Sequence, residues 1–246
     1  CSSDLLPPVP AVSLRAPSGT ADPNDSIQVG ANLAAPFPAV ITGRLTVSFE
    51  PNAAGPYADD PKNVEFANGS RTFEFTIPAN ETQIPAVGLK VGTVAGTVVV
   101  TATLLGAGGS AMQPPVTAVS RITVGRLAPR IDRACLIRTA TGFDAVVIGY
   151  STPRQITSAT FRFNAAAGAN LQTAELTPAG TGDAFTSWYQ SSASQSNGLG
   201  SLFRLVQPFT ISGPAEAVRD ATVVLTNSAG SSQAATAVFD PACPNR

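Results

Sequence analysis

The residues that could do chemistry in this chain are few, and the missing ones say as much as those present. The 246 residues contain no histidine. A Ser-His-Asp or Cys-His catalytic group is therefore excluded, and so are the common zinc sites built on His or clustered Cys. The usual proton carrier near neutral pH is missing too, which leaves carboxylates, lysine or tyrosine for any enzyme. Asp and Glu total 16 and are scattered, with no pair spaced as glycoside hydrolysis would need. Asp59 and Asp60, with Asp22 and Asp25, are weak candidates for calcium between β-domains. Calcium takes six to eight oxygens at defined spacing, and no EF-hand loop occurs. No G-x-S-x-G, P-loop or dinucleotide motif is present. No cofactor is expected beyond a covalent lipid.

Two aromatic groups could contact a ligand or partner. Trp188 and Tyr189 lie side by side next to Phe185, as a stacking platform or as core packing. Tyr57 lies in a Pro/Gly/Asp stretch, PNAAGPYADDPK, that has no periodicity and reads as a surface loop. Arg126, Arg130, Arg133 and Arg138 form a local basic cluster, read as ion pairs at a domain junction or as a docking patch for an acidic partner. The sequons at Asn24, Asn68 and Asn80 are read as chance.

Composition sets the setting for these residues. Charged side chains make up 13% and the net charge is -1. There is no basic field for nucleic acid and no polybasic run for anionic lipid. Gly and Pro each number 21, as in a turn-rich β protein. No apolar run reaches the ~18 residues that span a bilayer.

The elements that must position the candidates read as short strands. Ser26–Leu33, Ile41–Phe49 and Arg71–Ile77 alternate apolar and polar residues, the mark of a sheet with one buried face. Leu89–Val91 and Thr97–Leu105 flank the link TVAG and read as a hairpin. Val116–Val124 closes a first set. A second set runs through Ile131–Thr139, Phe143–Tyr150, Thr157–Asn164, Leu171–Leu176, Leu202–Ile211, Ala221–Asn227 and Ala234–Phe239. The segment Phe185–Gln190 fits a helical turn or a strand. The expected fold class is all-β, with two tandem immunoglobulin- or fibronectin-like β-sandwiches. The expected organisation is a Pro-rich tether over 1–10, a sandwich over 11–125 and a second over 126–246.

Two resemblances add to this. The opening CSSDLLPPVP is similar to the mature start of a bacterial lipoprotein, which implies lipid on Cys1. That in turn implies a membrane anchor and a cell-envelope location outside the cytoplasm, periplasmic or at the surface. Three cysteines are an odd count. Assigning Cys1 to lipid leaves Cys135 and Cys243, which either bridge the ends of the second sandwich or remain as two buried thiols. The segments LTVSFEP (45–51), ADDP (58–61), VEFANGSRTFEF (64–75), TIPA (76–79) and GTVAGTVVVTAT (92–103) carry the second resemblance. So do RTATGFDAVVIGY (138–150), STPR (151–154) and the stretches 161–163, 168–172 and 185–191. Together they resemble a two-module Ig-like region of secreted bacterial cell-surface proteins, over most of 12–240. This implies fold and location, not an activity. The expected function is non-enzymatic: an accessory or interaction module of a larger envelope or membrane assembly, with envelope proteins as partners. A carbohydrate-binding or adhesin-like module on Trp188 and Tyr189 is the alternative.

Overall fold

The computed structural model describes residues 6–52, 63–106, 108–196 and 198–243. Among these the chain divides into two compact units, one ending at Gly125 and the other beginning at Arg126. Both are β-sandwiches.

The first unit contains β1 (Val12–Arg15), β2 (Gly19–Ala21), β3 (Ser26–Leu33), β4 (Ile41–Pro51), β5 (Val64–Phe66), β6 (Thr72–Ile77), β7 (Val87–Val91), β8 (Gly96–Leu105) and β9 (Thr117–Val124). One sheet has the order β1-β3-β7-β5 and the other β2-β9-β8-β4-β6. The alternation read in the sequence is what fills the space between them. Val29, Ala31 and Leu33 from β3 and Leu89 and Val91 from β7 meet Leu45 and Val47 from β4 and Val98, Val100 and Ala102 from β8. Each strand sends every second side chain inward, so a polar–apolar period of two yields a dry interior.

The link TVAG is not a hairpin. β7 and β8 lie in different sheets, and residues 92–96 are all buried as the chain crosses between them. Gly96 is needed there: a Cβ on it would sit 2.5 Å from the Glu50 carbonyl oxygen and 2.5 Å from the Phe49 ring. The expected tether also differs in part. Within the described residues Leu6 is exposed, whereas Val9 packs against the first core.

The second unit contains β10 (Arg130–Thr139), β11 (Gly142–Tyr150), β12 (Ser158–Ala165), β13 (Glu175–Leu176), α1 (Thr181–Gln190), α2 (Ser192–Ser196), β14 (Leu202–Thr210), β15 (Val218–Asn227), β16 (Gly230–Ser231) and β17 (Ala235–Phe239). The strands order as β13-β12-β15-β17-β10-β11-β14. The antiparallel groups β13-β12-β15-β17 and β10-β11-β14 are joined by a short parallel pairing, Cys135↔Val238 and Leu136↔Phe239. One sheet thereby folds over itself into an Ig-like sandwich. Its interior holds Phe143, Ala145 and Val147 from β11, Phe161 and Phe163 from β12, and Val223 and Leu225 from β15.

Cys135 on β10 and Cys243, just after β17, form a disulfide with a Cα–Cα distance of 6.1 Å. It ties the first strand of this unit to its end, the bridging alternative read in the sequence. Both sulfurs are buried against Val146.

Leu171–Leu176 departs from the expected strand, and Phe185–Gln190 takes the helical one of its two readings. Leu171–Leu176 contributes only the two-residue β13. Phe185–Gln190 lies within α1. The helix follows Gly180 in the left-handed region, φ 78°, and places Asp183 in its first turn, where a carboxylate opposes the positive end of the helix. Thr181, Phe185 and Tyr189 are its buried residues. Their spacing of four is one helical face.

A candidate ligand-binding cleft

The sequence candidates fall into three groups. Cys1, Tyr57, Asp59 and Asp60 lie outside the described residues. Asp22 and Asp25 hold a turn: the Asp22 amide donates to Asp25 Oδ2 at 3.2 Å. Among the described residues no group of three or more His, Cys, Asp or Glu is placed to hold a metal.

The arginine cluster finds its contacts within the second unit. Arg126 donates to Ser228 Oγ at 3.0 Å. Arg130 pairs with Asp132 at 3.0 Å and lies 6.0 Å from the Tyr150 ring centroid. A hydrogen bond with Tyr150, then the Tyr150 and Asp132 charges, hold its pKa above the ordinary arginine value. Arg133 pairs with Asp240 at 2.9 Å. Arg138 stacks over Phe239 at 3.9 Å from the centroid. These contacts staple β10 to its neighbours and to the chain end after β17.

The aromatic platform is not formed, and of the two readings the sequence left open the structure shows core packing. Tyr189 is fully buried, and its hydroxyl donates to the Ser201 carbonyl at 2.9 Å. Trp188 is half-buried, and its indole nitrogen donates to the Leu202 carbonyl at 3.1 Å. Helical geometry is the reason. Adjacent residues point about 100° apart around a helix, so neighbours in sequence cannot present coplanar rings. Instead both side chains anchor α1 to the start of β14.

A buried polar network near that anchor was not read from the sequence. Arg154, at φ 51° and 5% exposed, donates from Nε to the Gly200 carbonyl at 3.0 Å. Asn227 donates to the Leu127 carbonyl and to Ser151 Oγ at 2.9 and 3.0 Å. Thr152 Oγ1 accepts from the Leu127 amide at 2.8 Å. Loops need such partners when buried, and these bonds fix residues 127, 151–154, 200 and 227 together. The arrangement positions backbone.

An arrangement that can bind lies in the second sandwich. A cleft of about 530 Å³ opens between the β12–β13 loop and the segment from β14 to β15. Phe143, Phe163 and Phe209 contribute its aromatic floor, and Asn170, Gln172 and Ser212 are among its polar walls. No charged residue lines it. It can therefore supply apolar contact and neutral hydrogen bonds, but no proton transfer at ordinary pH.

No protein-family profile matches the sequence, and no curated protein matches it. Among solved structures, the chaperone–tip adhesin complex of CFA/I fimbriae biogenesis is similar over 94% of this chain and 100% of that chain. The identity is 8% and the TM-score 0.34. The polymeric Ig receptor ectodomain of a teleost fish is similar over 95% and 100%, at 12% identity and a TM-score of 0.29. The calcium binding domain CBD12 of CALX1.1 is similar over 87% and 78%, at 12% identity and a TM-score of 0.30. Likenesses this weak carry nothing about activity or partners. The Ig-like assignment rests on the strand order and pairing above.

Proposed function

We propose that the chain is a non-enzymatic interaction module that works outside the cytoplasm, as an accessory or adhesin-like part of a cell-envelope assembly. The observation that carries this is the Cys135–Cys243 disulfide across a whole β-sandwich. Bridges of this kind persist in oxidising compartments and are rare in the cytosol. Two further features support the reading. The chain has no histidine, and the cleft of the second unit has no titratable side chain in its lining, so its chemistry is that of binding. Among the described residues no helix is long and apolar enough to cross a membrane. Lipid on Cys1 would supply attachment, and more than one acyl chain is needed for firm anchoring.

The test is in-cell crosslinking of the tagged protein, followed by isolation from solubilised membranes. The proposal expects recovery in the membrane or extracytoplasmic fraction, with one envelope protein in constant stoichiometry. Recovery from the cytosol, or as the free chain at all crosslinker doses, contradicts it.

A further inference from the structure

We propose that the cleft beneath the β12–β13 loop is a binding site for a neutral sugar residue. The inference goes beyond the interaction-module reading and does not depend on it. It starts from Phe209, near the end of β14. This ring lies 5.5 Å from Phe143, 5.0 Å from Phe161 and 5.0 Å from Phe163, centroid to centroid. Phe143 and Phe161 are essentially inaccessible and Phe163 is buried, yet Phe209 remains half-buried and lines the open cleft. An aromatic ring locked by three others presents its surface at no further cost in side-chain freedom.

Asn170, Gln172 and Thr173 from the β12–β13 loop and Ser212 beyond β14 also line the cleft. Amides and hydroxyls both donate and accept hydrogen bonds. A sugar ring matches this set: its C–H face covers the aromatic ring, and its peripheral hydroxyls meet the amides. The lining also excludes other ligands. Without a cation it offers nothing to pair with a phosphate, a sialic acid or a uronate. A wholly apolar ligand would cover the polar rim without replacing its bonds to water. The volume of about 530 Å³ falls within the range of about 300–1,000 Å³ common to small-molecule sites.

An extended peptide fits less well. Strand addition needs a free edge, and the edge of β14 is blocked at both ends. Pro208 has no N–H to give, and its carbonyl already accepts from Gln207 Nε2 at 3.1 Å. At the other end the Leu202 carbonyl is taken by Trp188. These are the devices by which natural sheets avoid edge pairing.

The test uses the whole chain on an array of neutral oligosaccharides, built of hexoses and N-acetylhexosamines, beside sialylated and uronate-bearing ones and a hexapeptide library. The expected result is retention of neutral oligosaccharides, confirmed by titration calorimetry. The double substitution Asn170→Ala/Gln172→Ala should weaken that binding by about tenfold or more without moving the thermal midpoint. Phe209→Leu should abolish it, and because that change touches the core, the wall variant is the decisive one. Failure of every neutral oligosaccharide to bind overturns the proposal. So does a preference for anionic sugars or peptides, or binding that survives the wall substitutions.

Discussion

Replacing both Cys135 and Cys243 with alanine should lower the stability of the second unit and leave the first unchanged. The magnitude follows from the loop the bridge closes. The two cysteines are 108 residues apart, and the chain-entropy relation gives about 4.8 kcal/mol for a loop of that length at 25 °C. Native bridges deliver about 2–5 kcal/mol in practice. For a domain of about 120 residues, each kcal/mol moves the midpoint by about 4 °C, so a fall of roughly 8–20 °C is expected. Alanine keeps both positions apolar, where the sulfurs pack against Val146, so little beyond the cross-link is lost. The assay is differential scanning calorimetry of the oxidised parent and the double variant, both carrying the rest of the chain intact. The expected trace has one transition displaced downward and one in place. An unchanged pair of transitions would refute the idea that the bridge constrains the unfolded second unit. An equal displacement of both would refute its confinement to that unit.

Three smaller tests probe other parts. Tyr189→Phe removes a hydroxyl that donates to the Ser201 carbonyl, which keeps its bond from the Ser151 amide, and should cost about 0.5–1.5 kcal/mol, read by urea unfolding of the second unit. Gly96→Ala drives a Cβ against the Glu50 backbone and should destabilise the first unit by about 1–3 kcal/mol, seen as a drop in its own calorimetric transition. The Asp220 carboxyl is held below the ordinary aspartate range first by a hydrogen bond from Asn164 and then by Arg219, against the opposing effect of burial. A lowered folded-state pKa means stability that is present above the unfolded value, about 3.9, and lost as pH falls through the folded one. Asp220→Asn should flatten the acid limb of the stability–pH curve below about pH 4, measured by chemical denaturation from pH 2 to 6.

Much of the fold was legible in the sequence because strand alternation is a local property. Val98, Val100, Ala102 and Leu104 point inward in the structure, as their spacing of two requires. What local pattern does not encode is which sheet a strand joins. Leu89–Val91 and Thr97–Leu105 have the spacing of a hairpin, but the buried, small-residue run between them crosses the sandwich. The helix α1 was ambiguous because FTSWYQ is too short for periodicity to decide. The informative spacing was Thr181, Phe185 and Tyr189, which extends beyond that hexapeptide. The cleft was invisible for a different reason. Phe143, Phe163 and Phe209 each sit in a strand and read as ordinary core. Only the pairing of β11 with β14, Phe143↔Phe209, and the packing of β12 opposite bring them together beside Asn170 and Gln172. The Cys135–Cys243 bridge was legible as one of two alternatives, since the odd count required one cysteine to stand apart.

The account turns on the second sandwich being oxidised where the protein works. Its direct test is to alkylate thiols in living cells that produce the full chain from its own gene, and then to map its peptides without reduction. The account predicts one cross-linked species joining the peptides of Cys135 and Cys243, with neither cysteine alkylated. Recovery of both as alkylated free thiols would contradict it.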